Sequence, residues 1–440
     1  MTSIFRVAGF FTMVVFCFGT GLSSAVPTQT IDQQIDSASA TLAKNLEAMQ
    51  AEQADFSQRQ AVERTRIAQM TLQVPATPAG YVLGEGSLIW LSGRDDPALT
   101  GIQPIASRAG LLVSFDIPAS DPQAFLKGRS WTYDDAIGAI SFLLQGNTAD
   151  ARSVLTSLKG LMAADGSLGF SYQVDSTYKD SRVRSGTLAW VGYAMALYQR
   201  VTGDKRFESS AMKIAQKLKG LQTSSGSLRG GPDVAWISTE HNVDAYFFFR
   251  EFYRVTGKGT YLTTATQIKD SLLNNHWTGD AGGHFRQGIG DDAAALDANA
   301  LGALFLNAIG RADLAQSALN YVESVFSNQQ TIPGSAQAIT GYSPDAARQT
   351  VWVEGTLTAA VAYYRVGNTA KTNSILQNVG LIQDVRTAQG TWNGALPFAV
   401  TRYVNPDGDT YAEWNSVSTV SWLLLNTALQ NGDARFMNQD

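Results

Sequence analysis

The sequence predicts an all-α protein in which six apolar helices, alternating with amphipathic ones, close into an (α/α)6 toroid. Segments that are apolar nearly all round recur six times, at residues 131–144, 186–198, 241–253, 293–309, 351–364 and 414–429. Amphipathic segments separate them, at residues 150–161, 206–221, 261–273, 312–326 and 369–381. The apolar segments begin near Thr132, Ser185, Thr239, Asp291, Thr350 and Ala412, which are 53, 54, 52, 59 and 62 residues apart. A period near 50 built of helix pairs indicates a repeat array.

Ring closure is favoured by the apolar helices themselves. A helix without a polar face must be buried on all sides, so these six segments are predicted to form an inner ring. An open solenoid is the alternative, and it would show amphipathic helices throughout and polar caps at its ends. The five amphipathic segments leave a sixth outer position, for which an N-terminal helical leader and the short C-terminus are the two candidates.

Composition excludes several classes of protein. The 440 residues are 44% hydrophobic and 16% charged, which is typical of a globular chain and unlike disordered, collagenous or disulfide-rich proteins. The 33 basic and 38 acidic residues give a net charge of -5 without a basic stripe, so nucleic acid is not expected as a partner.

Residues 1–25 are typical of a secretory signal peptide. Arg6 precedes an apolar run at residues 7–18, and small residues follow up to Ala25. Cleavage there predicts a periplasmic or secreted protein, and an uncleaved membrane anchor is the less favoured alternative because a membrane span needs about 20 apolar residues. Cys17 is the only cysteine, so the mature chain has no thiol for catalysis, zinc binding or disulfides.

Two further segments precede the repeat. Residues 26–72 have no Gly or Pro after Ile31 and are rich in Ala, Gln, Glu and Leu, which predicts a helical leader packed on the main domain. A coiled coil that binds an inner-membrane or envelope protein is the alternative for this leader. Residues 73–128 are interrupted by Pro and Gly and predict a loop-rich segment, with one or two strands, packed on a barrel of residues 129–440.

The loops that lead into the six apolar helices carry acids and aromatic residues. We name them the mouth loops; they comprise residues 130–135, 180–185, 236–242, 290–292, 349–354 and 409–414. In a closed toroid the inner helices run parallel, so these loops meet at one rim. Helix capping alone accounts for Asp134, Asp291 and Asp292. It does not explain the Trp and Tyr residues beside the acids, because exposed aromatic residues indicate a ligand with apolar faces. Sugars have such faces.

Hydrolysis of a glycosidic bond requires two carboxyl groups on opposite sides of that bond. The third and sixth mouth loops lie opposite each other in a ring of six, so Glu240 and Glu413 are the predicted catalytic pair, with Glu354 in reserve. Apolar neighbours are expected to raise the pKa of either member toward that of an acid catalyst. The predicted substrate-binding residues are Trp131, Tyr133, Asp135, Arg184, Trp236, His241, Asn242, Asp297, Trp352, Tyr411 and Trp414. His241 is equally compatible with helix capping.

No metal or other cofactor is predicted. The three histidines, His241, His276 and His284, lack metal-binding spacing, and residues 407–409 lack the rest of a calcium loop. The sequence also contains neither a phosphate-binding glycine loop nor a Gly-x-Ser-x-Gly nucleophile turn.

Residues 129–432 resemble the six-hairpin glycosidase superfamily, whose members are (α/α)6-barrel enzymes of carbohydrate metabolism. The resemblance rests on the repeat and on the loops Trp131-Thr132-Tyr133-Asp134-Asp135 and Ser238-Thr239-Glu240-His241-Asn242-Val243-Asp244. It implies an acid before the third inner helix and a base before the sixth, as in glucoamylase-like members, where Glu240 and Glu413 stand. It also implies inversion at the anomeric carbon. Lyases and epimerases share the barrel, so the fold alone does not separate these activities.

The sequence therefore predicts an exported glycoside hydrolase that acts on a polysaccharide or oligosaccharide by paired-carboxylate catalysis. A non-catalytic glycan-binding or polysaccharide-assembly protein is one alternative, in which the leader would dock an envelope complex. A polysaccharide lyase with Tyr411 or His241 as its base is the other.

Overall fold

The computed structural model describes residues 85–438 apart from 280–281, together with the helical positions 36, 39, 40, 43, 44 and 47. The predicted signal peptide, most of the predicted leader and residues 73–84 lie outside the described residues. The chain divides into two compact units, Met1–Arg66 and Ile67–Asp440, and the repeat belongs to the second. Within the described residues, no helix combines the length and apolarity that crossing a bilayer requires.

Helices dominate the described part of the second unit. In chain order they are α1 (Glu85–Ser92), α2 (Pro97–Thr100), α3 (Thr132–Leu144), α4 (Thr148–Leu161), α5 (Ser185–Thr202), α6 (Glu208–Lys219), α7 (Thr239–Thr256), α8 (Gly259–Ser271), α9 (Leu296–Ala308), α10 (Ala312–Phe326), α11 (Val353–Arg365), α12 (Thr369–Ala388) and α13 (Val417–Gln430). The strands are short: β1 (Phe115–Asp116), β2 (Arg129–Trp131), β3 (Ser171–Gln173), β4 (Lys179–Asp180), β5 (Ser327–Thr331), β6 (Ala338–Tyr342), β7 (Tyr403–Val404), β8 (Thr410–Tyr411) and β9 (Asn415–Ser416). They pair as antiparallel β1–β9, β2–β3–β4, β5–β6 and β7–β8.

The six odd-numbered helices from α3 to α13 form a closed inner ring. Each packs against the next, and α13 packs against α3. The uniformly apolar sequences require this placement: residues 185–199 of α5 and residues 353–363 of α11 are buried without a break. The predicted all-α toroid and its closure are confirmed.

A backbone hydrogen bond that recurs once per repeat joins the mouth loops into a continuous rim. In each case the first residue of an inner helix donates its N–H to a carbonyl that precedes the next inner helix of the ring. The pairs are Thr132 to Phe170, Ser185 to Gly230, Thr239 to Gln287, Leu296 to Pro344, Val353 to Phe398 and Val417 to Ser114. The last of these is 2.9 Å long and joins the sixth repeat to the segment before the first.

The even-numbered helices from α4 to α12 form the outer layer, each packed on the inner helix before it. The sixth outer position is held by α1, which packs on α13. Here the sequence-based expectation was wrong, because residues 85–92 were predicted to be loop and the leader or C-terminus to fill the position. Gly and Ser are weak helix formers, but burial of Trp90 and Leu91 and a 2.7 Å hydrogen bond from Ser87 Oγ to the Gly394 carbonyl stabilise α1 in place.

The chain beyond α13 turns back across the end of the ring opposite the mouth loops. Arg200, Arg254 and Arg365 lie in the last turns of α5, α7 and α11. All three hydrogen-bond to residues 434–438. We name residues 433–438 the C-terminal plug. Its Phe436 is fully buried inside the ring.

The close packing of α5 against α7 leaves no room for a side chain at Gly192. A Cβ atom on Gly192 would lie 2.6 Å from Cζ of Phe248, which is itself fully buried in α7. Gly192→Ala is therefore expected to lower the free energy of unfolding by about 1–3 kcal/mol. Gly160 in α4 has open space around it, so Gly160→Ala is expected to raise that free energy by about 0.5–1 kcal/mol. Denaturant unfolding of both variants checks this, and shifts of the same sign would contradict it.

Candidate active site

Five carboxyl groups from four inner helices gather inside the mouth. They are Asp134 on α3, Glu240 and Asp244 on α7, Asp297 on α9 and Glu354 on α11. We name them the carboxyl cluster. All five lie within the first six residues of their helices, so the sixfold arrangement brings them to the same end of the ring, with Asp244 about 6 Å further along α7 than Glu240. Each is close enough to at least one other member for like-charge repulsion to affect its pKa or that of its neighbour.

Glu240 and Asp297 share a hydrogen bond at the centre of this cluster. Burial, followed by repulsion from Asp297 and Asp244, raises the pKa of Glu240 well above its ordinary value. The shared bond raises the pKa of Glu240 and lowers that of Asp297, which assigns the proton to Glu240. Both side chains remain partly exposed. Glu240 is thus the member of the pair that keeps its proton to higher pH, and it is not fully buried.

Glu354 is buried but hydrogen-bonded through both oxygens. Its Oε1 accepts a 2.8 Å bond from the Tyr133 hydroxyl, and its Oε2 accepts a 2.7 Å bond from Ser418 Oγ. Burial raises the pKa of Glu354 to about 7, against the lowering effect of these two donors. The Tyr133 hydroxyl in turn accepts a 2.9 Å bond from Trp422 Nε1. Glu354 therefore ionises near neutral pH in a fixed orientation.

Asp244 was not among the predicted site residues. Neither of its carboxylate oxygens has a hydrogen-bond partner of ordinary geometry within the described residues, although the nearby Trp190 side chain lowers its pKa. Burial and then repulsion from Asp297 outweigh that effect and raise the pKa of Asp244 well above its ordinary value. The spacing of four residues from Glu240 places both on one helix face, and this was the signal that could have found it.

Aromatic rings line the mouth beside the carboxyl cluster. Tyr411 stacks on Phe398 with a centroid distance of 5.5 Å and meets Trp352 edge-on, also at 5.5 Å. The charges of Asp297 and Glu354 act on the Tyr411 hydroxyl, so the ring lies close to both acids. Predicted residues Tyr133, Trp352, Tyr411 and Asp297 are thereby brought together with Glu240 and Glu354.

A second group of predicted residues meets at the rim next to Glu240. Trp236 is 47% exposed and packs edge-on against His241 at 5.2 Å. The Arg184 guanidinium lies over Trp236 at 5.9 Å and forms a 2.8 Å ion pair with Asp233. Burial, then repulsion from Arg184, lowers the pKa of His241 to about 4, so this imidazole is neutral at neutral pH. Its Nδ1 lies 3.0 Å from Ser185 Oγ.

Glu413 and Trp414 are not brought to the carboxyl cluster. The pairing of β9 with β1 draws their loop toward the loop-rich segment. Glu413 is exposed and lines a separate surface cavity of about 550 Å³ with Arg386 and Thr391. Trp414 is buried, and its Nε1 donates a 2.8 Å hydrogen bond to Asp121. The structure therefore does not assemble the expected Glu240–Glu413 pair.

Asp135 and Asn242 anchor the backbone and do not face the mouth, contrary to the sequence-based expectation. Both are fully buried. Asp135 accepts hydrogen bonds from the Leu112 N–H at 2.8 Å and Ser130 Oγ at 2.7 Å. Asn242 exchanges bonds of 2.7 and 3.1 Å with the backbone of Leu228. Each side chain stands three residues after the start of its helix, so the repeat uses this position to fix the preceding loop.

Trp131 is also turned toward the loop-rich segment. Its half-buried ring packs edge-on against Phe115 at 5.3 Å. Within the part of the chain that the structure describes, no group of three or more His, Cys, Asp or Glu residues is arranged to hold a metal ion.

Asp135 is expected to make stability depend on pH. Burial raises its pKa from 3.8 to about 7 in the folded state. The folded protein therefore binds the proton more tightly than the unfolded chain, and this stabilisation is complete below pH 3.8 and lost as the pH rises to about 7. The expected slope is up to about 1.4 kcal/mol per pH unit. Asp135→Asn should keep both contacts and remove this contribution, and a slope unchanged in denaturant titrations between pH 4 and 8 would contradict it.

Comparison with known proteins identifies the fold. No model of a known protein family matches the chain, and no curated protein sequence matches it. Among solved structures, a glycosidase variant matches with a TM-score of 0.56 and 13% identity, over 78% of this chain and 97% of that chain. A mannosidase of glycoside hydrolase family 76 from Bacteroides thetaiotaomicron matches with a TM-score of 0.52 and 10% identity, over 78% and 98%. D-mannose isomerase matches with a TM-score of 0.53 and 9% identity, over 81% and 100%.

Identities this low carry information about fold and not about activity. The matched structures nevertheless span most of this chain and almost all of their own length, so the likeness concerns the whole toroid. The chain has the same (α/α)6 fold as these solved structures.

Proposed function

We propose that this protein is a glycoside hydrolase in which Glu240 is the general acid and Glu354 the general base. The observation that carries the proposal is the difference between these two carboxyl groups. Glu240 holds a proton against Asp297 and is not fully buried, whereas Glu354 ionises near pH 7. Two carboxyl groups held in opposite protonation states are what glycosidic hydrolysis requires.

The acid step uses the proton on Glu240. As the bond between the anomeric carbon and the glycosidic oxygen breaks, Glu240 transfers its proton to that oxygen, so the leaving sugar departs as an alcohol. The half-buried ring of Tyr411, close to Asp297 and Glu354, supplies apolar surface for a sugar ring. The structural neighbours named as a glycosidase and a mannosidase support carbohydrate as the substrate class.

The base step uses ionised Glu354. Its carboxylate takes a proton from a water molecule as that oxygen bonds to the anomeric carbon on the face opposite the leaving group. This displacement inverts the anomeric configuration. Tyr133 and Ser418 fix the carboxylate through its two oxygens. Asp297 and Asp244 are assigned to hydroxyl binding and to keeping the proton on Glu240.

The alternatives agree less well with the site. Burial and neighbouring carboxylates raise the pKa of Tyr411 well above its ordinary value of 10, which opposes its use as the base of a lyase. A glycan-binding protein has no need of a buried carboxyl cluster with perturbed pKa values, because isolated buried acids cost stability. Export by residues 1–25, and a periplasmic or extracellular site of action, remain part of the proposal, as does an envelope partner for the leader.

A product analysis on a panel of neutral and acidic polysaccharides tests the proposal. We expect new reducing ends and, by proton NMR recorded during the reaction, a first-formed product of inverted anomeric configuration. A product that absorbs ultraviolet light through a new carbon–carbon double bond would establish a lyase instead. Saccharide binding without any product would establish a glycan-binding protein.

A further inference from the structure

The C-terminal plug is held in the ring by specific hydrogen bonds. Arg365 donates to the carbonyls of Phe436 and Ala434, and Arg200 donates to the carbonyl of Arg435. The Met437 N–H donates to the Tyr193 hydroxyl at 2.9 Å. Arg200 on α5 and Arg365 on α11 lie on opposite inner helices, so the plug is fastened across the ring.

Phe436 is the residue that the plug inserts. It is fully buried and stacks on Trp190 with a centroid distance of 6.3 Å and an interplanar angle of 22°. It meets Trp422 edge-on at 5.7 Å. The two indoles also contact each other at 6.1 Å, so Phe436 completes a three-ring cluster in the interior of the toroid.

The same two indoles also contact Tyr133, the residue whose hydroxyl donates to the candidate catalytic base Glu354. Trp190 packs edge-on against Tyr133 at 5.4 Å, and Trp422 Nε1 donates its 2.9 Å hydrogen bond to the Tyr133 hydroxyl. That hydroxyl donates to Glu354. A continuous series of contacts therefore runs from Phe436 through two tryptophans and Tyr133 to the Glu354 carboxylate.

We propose that Phe436 is a positioning residue, through which the C-terminal plug fixes the hydrogen bond from Tyr133 to Glu354. The inference rests on the proposed role of Glu354. Removing the Phe436 ring leaves a cavity behind Trp190 and Trp422. The indoles then have room to shift, and the Tyr133 hydroxyl is no longer held by the hydrogen bond from Trp422 Nε1. Small displacements of groups that hold a catalytic residue cost up to about 100-fold in rate.

Three variants test this inference in the full-length enzyme. Phe436→Ala is expected to lower kcat about 10- to 100-fold with KM changed less than about 2-fold. It should also move the acidic limb of the kcat profile to higher pH, because a weaker bond from Tyr133 no longer lowers the pKa of Glu354. Phe436→Leu refills most of the cavity and should recover most of kcat. Arg435→Ala changes the same plug at a side chain paired only with Asp433 in the described structure and should leave kcat and the profile unchanged.

A double-mutant cycle with Tyr133→Phe separates positioning from general damage to the fold. If Phe436 acts through Tyr133, Phe436→Ala causes little further loss of kcat in the Tyr133→Phe enzyme. Equal losses in the two backgrounds, or a folded Phe436→Ala enzyme with unchanged kcat, would overturn the inference. Should Phe436→Ala not fold, the same cycle is run with Phe436→Val, which leaves a smaller cavity than Ala but a larger one than Leu. Failure of the proposed function gives a different result: either the wild-type protein forms no hydrolysis product, or Glu354→Gln retains wild-type activity.

Discussion

Glu240→Gln is expected to lower kcat on a natural polysaccharide by roughly 10²- to 10⁴-fold, the range for loss of a general acid. The amide has nearly the shape of the acid and can still donate a hydrogen bond to Asp297, so the fold and KM should change little. It cannot deliver a proton to the glycosidic oxygen. The loss should therefore be much smaller on an aryl glycoside whose leaving group is already a weak base. Steady-state kinetics on both substrate types measures this difference.

Glu413→Gln is the matched control for this prediction. It makes the same chemical change in a mouth loop, but Glu413 is exposed and lines the surface cavity with Arg386. We expect kcat and KM within about 2-fold of wild type, as for most surface substitutions. A large loss in Glu413→Gln together with full activity in Glu240→Gln would reject the assignment of the acid.

Glu354→Gln is expected to lower kcat to a similar degree, again by roughly 10²- to 10⁴-fold, because the amide cannot accept a proton from water. The loss of kcat should be equally large on the aryl glycoside, because its better leaving group does not replace the base. In the wild-type enzyme, kcat should rise as the pH increases through about 7, where Glu354 becomes ionised. This limb of the pH profile should be absent from the residual activity of the Glu354→Gln enzyme.

Tyr133→Phe sharpens the test of the base. The Tyr133 hydroxyl lowers the pKa of Glu354 by donating to its carboxylate, so its removal should move the acidic limb to higher pH. Tyr178→Phe is a matched control, because Tyr178 is 56% exposed and its ring contacts the Arg129 guanidinium at 4.6 Å. An acidic limb at the same pH in wild-type and Tyr133→Phe enzymes would contradict the role of this hydrogen bond.

The fold could be predicted because the inner helices carry an unambiguous pattern. A segment such as residues 353–363, buried on every side, is apolar on every side. The starts of α3, α5 and α7 coincide with the predicted positions, whereas α9, α11 and α13 begin three to five residues later. In these later repeats the mouth loops pair with neighbouring loops, for example Ala295 with Asp345, and such pairing leaves no helical periodicity to detect.

Part of the site could be predicted because its residues are polar groups next to apolar helices. Glu240, Asp297, Glu354 and Tyr411 are polar groups at inner-helix starts or in the loops before them, and they do converge. Asp135 has the same sequence context, but its carboxylate is bound by Leu112 and Ser130. The sequence does not distinguish an acid that anchors a loop from one that faces the mouth. Trp190, Ser418 and Trp422 escaped notice because they lie within helices whose apolar character suggested only packing.

The hydrogen bond between Val417 and Ser114 joins positions 303 residues apart in the chain (417 − 114) and completes the rim. An open array of repeats can fray from either end, one unit at a time. A closed ring has no end from which to fray, since loss of any one helix pair exposes an apolar face on each of its two neighbours. Unfolding of the second unit should therefore be cooperative over all six repeats. During synthesis, a chain that still lacks α13 cannot bury the face of α3 that packs against it. The first repeat therefore becomes stable only after the last one has been made.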